Sequence, residues 1–204
     1  MQDDSGRGAG RFADRESGNY LSGIIEGSNS NTVQDAATSH QKSLEDLFSH
    51  ALKVAYYAEE LLHHKLPTMI DLAKDEELKA ALTKHCGETA THIVILQQIG
   101  RCFGMALVGK KSEAIEGLLS EGDEVLKVFA NSEAGDAAII SSCQMIESYE
   151  IAKYVSMHSW GVAMGITHVA RLISSIIEQE KAAYSTLTEL ADRRINRAAE
   201  FFPA

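Results

Sequence analysis

The sequence predicts an all-α fold: four long helices in one antiparallel bundle, with a short extra helix in the connection between the two pairs. Three observations predict it. Apolar residues recur at helical spacing through four long segments. Only 2 prolines interrupt the 204 residues. No run shows the two-residue alternation of a strand.

The first helix starts at Ser43, where Ser43-Leu44-Glu45-Asp46 reads as a capping box with Asp46 at its third position. Its stripe is Leu44, Leu47, Phe48, Leu52, Ala55, Tyr56, Leu62 and Leu66. Pro67 is expected to kink it or to start a new helix, and Asp71 to Asp75 closes the hairpin. The second helix is predicted over 76–103, with Leu78, Leu82, Thr89, Ile93, Leu96 and Ile99 on one face. A Gly- and Lys-containing connection then leads to a shorter amphipathic helix over 113–129. The third long helix is expected over 136–160, carrying Ile139, Ile140, Cys143, Ile146, Ile151, Tyr154 and Met157. A turn within 161–165 precedes the fourth, over 167–198, with Leu172, Ile173, Ile176, Ile177, Leu187 and Leu190. Two hairpins separated by one long crossover give the ferritin-like connectivity of four-helix bundles.

Residues 43–200 are thus expected to form the bundle and residues 1–42 a flexible polar tail rich in Gly, Ser, Asn and Asp. The stretch from Tyr20 to Ile25 is the part of that tail that would dock on the bundle or on a partner protein. The formal net charge of -10 lacks the basic footprint that DNA or RNA binding requires. No segment is apolar for long enough to cross a membrane. The 3 cysteines, Cys86, Cys102 and Cys143, form neither a close metal pair nor a disulfide framework and read as buried thiols. With no apolar leader at the N-terminus, a reducing cytoplasm is the expected location.

Each long helix carries an ionisable group on its apolar stripe. Glu59 falls in line with Ala55, Tyr56, Leu62 and Leu66. His85, Glu88 and His92 lie near the line through Leu82, Thr89 and Leu96. Glu147 and Glu150 stand between Cys143 and Tyr154, and Glu180 between Ile176 and Leu187. Buried carboxylates are costly alone. In antiparallel helices these positions share the middle third, so the groups can converge on a pair of cations, and oxygen ligands suit iron or manganese. Alternatively each is an edge residue, with Glu150 paired to Lys153 and Glu180 beside Lys181. The helix 2 spacing differs from the Glu-x-x-His of dimetal bundles, because Thr91 stands three residues after Glu88 while His92 stands four after it. Helix 4 offers Ala183 and Tyr184 where a histidine would stand. Tyr56, Tyr149, Tyr154 and Tyr184 are candidates to hydrogen-bond the carboxylates.

The chain resembles the bacterial ferritin-like stress proteins of the YciE/YciF type. The resemblance rests on Leu44-Glu45-Asp46-Leu47-Phe48, Tyr56-Tyr57-Ala58-Glu59, His85 with Glu88-Thr89, the crossover run from Glu113 to Gly122, Glu147-Ser148-Tyr149-Glu150-Ile151-Ala152-Lys153-Tyr154, and Glu180-Lys181-Ala182. It implies a ferritin-like bundle, a homodimer and an association with stress responses. Carried over by position, it implies metal ligation by Glu59, Glu88, Glu147, Glu150 and Glu180, beside His92 from the spacing argument. The chain departs from the family pattern at Gly87-Glu88-Thr89-Ala90, which lacks the Glu-x-x-His histidine, and at Tyr184, where some relatives have an acid. The reading that follows is a stress-associated bundle with a noncatalytic or degenerate site. The alternative is a nonhaem diiron or dimanganese protein that handles peroxide or oxygen.

Overall fold

The structure, a computed structural model, describes residues 42–200. The expectations for the tail and for its Tyr20–Ile25 stretch lie outside the described residues. Five main helices follow in order: α1 Leu44–Leu72, α2 Glu76–Cys102, α3 Glu113–Phe129, α4 Gly135–Ala163 and α5 Thr167–Leu190. A π-helical segment, Ala191–Ile195, and a last turn, Asn196–Ala198, complete them. There is no strand among the described residues.

Local chemistry sets the helix starts. The Ser43 hydroxyl accepts from the Asp46 N–H at 3.1 Å, and the Ser43 N–H donates to Asp46 Oδ2 at 2.8 Å, forming the predicted capping box. Asp75 caps α2 by accepting from the Glu77 and Leu78 amides at 2.9 and 3.0 Å. The α1–α2 turn is then tied to the next hairpin, because Asp136 accepts from the amides of Lys74 and Asp75 at 2.8 and 2.9 Å.

Helix α1 runs through Pro67 to Leu72 instead of restarting. Pro67 is exposed, and burial of Leu66 and Met69 on the opposite side holds the helix line against the loss of one backbone bond. Helix α4 continues past Trp160, so the turn to α5 is shorter than expected and pivots on Gly165 at φ +73°. Gly161 belongs to α4 instead of to the turn. It faces Ala170 of α5, where an added Cβ would make an ordinary contact at 3.6 Å.

Helices α1 and α2 pair as one hairpin and α4 and α5 as the other. Across the bundle α1 lies against α4 and α2 against α5, while α3, in the crossover, lies on α4. The segment before α3 is strapped to α1: the Lys110 N–H donates to the Lys53 carbonyl at 2.9 Å. Gly109 lies so near Tyr57 that a Cβ would stand 3.2 Å from its backbone.

The apolar interior comes in two halves. One gathers Leu62, Leu66, Leu78, Leu82, Ile139, Ile146 and Leu187 towards the α1–α2 turn. The other gathers Phe48, Leu52, Leu96, Ile99, Tyr154, Met157, Ile173 and Ile176 towards the opposite end. Each fully buried large side chain contributes about 1.5–3 kcal/mol. Several predicted stripe residues sit at the margin: Leu44 and Leu47 are exposed, and Ile151 and Leu172 are half-buried. Of the three cysteines only Cys143 is buried, Cys86 being half-buried and Cys102 exposed at the end of α2. All three are free thiols.

Candidate metal centre

Between the two apolar halves lies a layer of polar side chains. Glu59 comes from α1, His85, Thr89 and His92 from α2, Glu147 and Glu150 from α4, and Glu180 from α5, and all are buried. The cause is helical geometry. Glu59 shares its face with Ala55 and Leu62, and Glu180 shares its face with Ile176, Ile177 and Leu187, so burying those neighbours carries the carboxylates inward. His85, Thr89 and His92 form an i, i+4, i+7 stripe on α2, and Glu147, Glu150 and Tyr154 an i, i+3, i+7 stripe on α4.

The groups form a continuous chain across the bundle. Glu147 Oε1 stands 3.0 Å from His85 Nε2, which is 3.8 Å from Glu180 Oε2. The other oxygen of Glu180 lies 3.0 Å from His92 Nδ1, and that nitrogen is 3.3 Å from Glu59 Oε1. The Tyr154 hydroxyl closes the chain by donating to Glu59 Oε1 at 2.5 Å. His92 Nε2 is 2.8 Å from the Gln179 side-chain oxygen, an acceptor, so Nε2 carries a proton and Nδ1 faces the carboxylates.

Two clusters emerge, each able to offer three ligand atoms within 4.8 Å of one another: Glu59, His92 and Glu180, and His85, Glu147 and Glu180. Glu180 belongs to both. The donor set of carboxylate oxygens and imidazole nitrogens suits iron, manganese or zinc. One oxygen each of Glu59, Glu147 and Glu150, and both of Glu180, are buried without a hydrogen-bond partner among the described residues. Such atoms are costly unless a cation or proton satisfies them. Four carboxylates face two imidazoles here, so the layer must hold either protons on its carboxyls or cations between them. The residues therefore fit a pair of divalent ions.

Ionisation follows burial and pairing. Burial raises Glu59, against the pull of His92. Burial pushes Glu147 up to about 8, although His85 opposes it. Burial drives Glu150 well above the usual carboxylate range, reinforced by the charges of Glu59, Glu180 and Glu147. Burial also acts to raise Glu180, but the neighbouring His92, Glu147 and His85 outweigh it and hold its carboxyl low. For His92, burial is outweighed by Glu180 and Glu59, which raise it to about 10. His85 is raised well above its ordinary value in the same way, by Glu147 and Glu88 against burial.

Among the residues expected from sequence, Glu59, His92, Glu147 and Glu180 meet in these clusters, and Glu150 lies buried beside them. Glu88 does not join either cluster. It sits at the margin with Oε1 bonded to Lys84 at 2.5 Å, and His85 with Lys84 lowers it to about 2. Its place is taken by His85, whose signal was the seven-residue spacing to His92, two turns along one helix face. Of the candidate tyrosines only Tyr154 reaches a carboxylate of the layer. Tyr56 accepts from Gln97, Tyr149 pairs with Ser112, and Tyr184 is exposed. The alternative Glu150–Lys153 edge pairing is absent among the ion pairs of the described residues.

A four-helix bundle with one long crossover and a carboxylate–histidine layer across its middle is a ferritin-like protein. The chain belongs to the family described as a domain of unknown function (DUF892), which matches residues 43–200. It is 33% identical over 162 residues to the protein YciF of Escherichia coli K12, covering 79% of this chain and 98% of that protein. The crystal structure of the E. coli stress protein YciF superposes with a TM-score of 0.72 at 32% identity, over 77% of this chain and 99% of that one. YcfI from Rhodopseudomonas palustris gives 0.71 at 34% identity, over 74% and 96%. Symerythrin from Cyanophora paradoxa shares the fold, with a TM-score of 0.54 at 16% identity over 86% and 100%.

Proposed function

We propose that this protein is a stress-associated bundle that binds a pair of iron or manganese ions in its polar layer. The observation that carries the reading is Glu180, which faces both histidine clusters with one oxygen each. Glu59 and His92 would hold one ion, His85 and Glu147 the other, with Glu180 between them. A bound pair of such ions would supply one-electron chemistry towards peroxide or oxygen. The chain's own residues prepare the layer for them. Gln179 accepts a hydrogen bond from His92 Nε2, so that Nδ1 is the nitrogen that would give up its proton to an ion. Tyr154 fixes the orientation of Glu59, and the apolar halves on either side exclude bulk water.

Elemental analysis of protein purified without chelator tests this, with about two iron or manganese ions per chain expected from the two clusters. Protein that stays metal-free after exposure to Fe(II) and Mn(II) would refute it. The pairing of His92 with Glu59 and Glu180, and of His85 with Glu147, favours a second reading. In that reading the layer is held by its own protons and ion pairs, and the bundle is a noncatalytic module. The family resemblance also supports a homodimer, which light scattering at micromolar concentration would check; a monomer mass would reject it. The free thiols, the acidic charge and the lack of any described helix long and apolar enough to cross a membrane fit a cytoplasmic protein that binds no nucleic acid.

A further inference from the structure

The polar layer is buried, so any cation must reach it between helices. Two spaces border His85 and Glu147. On the α1–α4 side the space is about 10 Å³, lined by Leu62, Leu66, Met69, Cys143 and Ile146, with the cationic Lys65 beside them. That is barely room for one water, and its lining sets a lysine, itself a cation, in the way of another. On the α2–α5 side a cleft of about 30 Å³ opens between Ala81, Ala183 and Thr186. It continues outward into a groove of about 780 Å³ that shares Ala81, Lys84 and Thr186 with it. Small side chains on both helices create the opening.

Two polar atoms aim into this cleft without a partner. His85 Nδ1 is buried and has no hydrogen bond. Glu88 Oε2, also buried and unbonded, stands 3.7 Å from it, too far for a hydrogen bond. The other Glu88 oxygen is held by Lys84, which is largely exposed. Glu88 thus spans from solvent to the edge of the layer. Outside it, the groove carries Lys84 and Arg193, paired with Glu88 and Glu77, together with Glu189 and Asp192, which make no ion pair among the described residues. The two unpaired acids of the groove, a carboxylate at the neck and an imidazole behind it form a graded series of cation ligands.

We propose that the α2–α5 cleft is the route by which a divalent cation enters the layer, and that Glu88, tethered by Lys84, is its first ligand on the way in. This rests on the metal-centre reading above. Glu88 would hand the ion to His85, and Glu147 and Glu180 would hold it where they converge. Only a small species fits the neck, so the route admits a stripped ion and excludes larger chelates.

The test uses metal-free protein mixed with cobalt(II), followed by the visible absorption of the bound ion and by metal content at the end point. Ala183→Phe should narrow the neck and slow uptake by about tenfold while reaching the content of the unaltered protein. Thr186→Leu, at an exposed position less able to disturb folding, should slow it in the same direction. Glu88→Gln should slow uptake several-fold, and Val94→Phe, on exposed surface away from the cleft, should leave it unchanged. Full metal content reached at the unaltered rate in both Ala183→Phe and Glu88→Gln would overturn the route and leave the centre standing. Absence of cobalt binding in the unaltered protein would overturn the centre, and the route with it.

Discussion

Replacing Glu147 by Gln should change stability in opposite directions with and without metal. In the metal-free protein, Glu147 is buried and faces His85, Glu180 and Cys143. Its carboxyl is raised from 4.5 to about 8. The sign follows from linkage. A raised folded-state pKa means that the fold binds the proton more tightly than the unfolded chain, so the carboxyl's contribution is fully present below pH 4.5 and is lost as pH rises to 8. At roughly 1.4 kcal/mol per pH unit, the deficit reaches about 3 kcal/mol at pH 7. Glutamine keeps the shape and an oxygen for His85 Nε2 but cannot ionise. The metal-free variant should therefore be more stable than the unaltered protein by about 1–3 kcal/mol at pH 7. A bundle of this size should then melt higher by roughly 3–10 °C. Near pH 4.5 the difference should vanish. With metal present the sign reverses, because an anionic ligand is lost. An ion at about 100 times its dissociation constant stabilises by about 2.7 kcal/mol, and the variant forfeits most of that. Thermal melts followed by circular dichroism at pH 4.5, 7 and 8, with and without chelator, provide the comparison. A metal-free variant that melts lower at every pH would refute the reasoning and show Glu147 to be an ionised partner of His85.

Tyr154→Phe removes the donor to Glu59 and should cost about 1–3 kcal/mol in urea unfolding, since the bond reaches a buried carboxyl; an unchanged midpoint would mean that Glu59 stands without it. Ser43→Ala should cost about 1 kcal/mol by removing the cap of α1, read from the same unfolding curves. Gly135→Ala and Gly87→Ala should differ in sign. A Cβ at Gly135 would lie 2.6 Å from the Ala130 carbonyl oxygen and should destabilise by about 1–3 kcal/mol, whereas Gly87 has open space and should gain roughly 0.5–1 kcal/mol in melting experiments.

The fold was legible because periodicity, caps and turn glycines agreed. Ser43 with Asp46, the stripe of α1 and the long crossover each pointed to the same bundle. What failed did so for local reasons. Pro67 faces solvent and costs only one backbone bond, so α1 continues through it and no new helix starts there. Gly161 resembled a turn residue but lies within α4, facing Ala170 of α5. The π-helical segment after Leu190 left no signal in apolar spacing. Within the polar layer, Glu59, Glu147 and Glu180 were legible because charged residues interrupted otherwise apolar stripes. Glu88 was not, since its fate depends on Lys84 one turn earlier and on rotation of α2 by a fraction of a turn, which periodicity does not resolve.

The histidines hold the remaining lesson. The dimetal template draws one histidine from each of two helices, through Glu-x-x-His motifs. Measured against it, α5 looks deficient, because Glu180 is followed by Ala183 and Tyr184. The polar layer of this chain is arranged differently. His85 and His92 lie seven residues apart, about 10 Å along one helix, and they flank the single carboxylate of Glu180 from the two sides. One helix thus supplies both imidazoles and the opposite helix supplies the carboxylate between them. The position three residues after Glu180 is freed for Ala183, whose small side chain opens the cleft to solvent beside His85. A histidine there would add a ligand and close that opening. Ala183 thus accounts both for the missing motif and for the open cleft, and on the metal-centre reading Ala183→His should hold cobalt(II) more tightly while admitting it more slowly, as visible absorption of the ion would show.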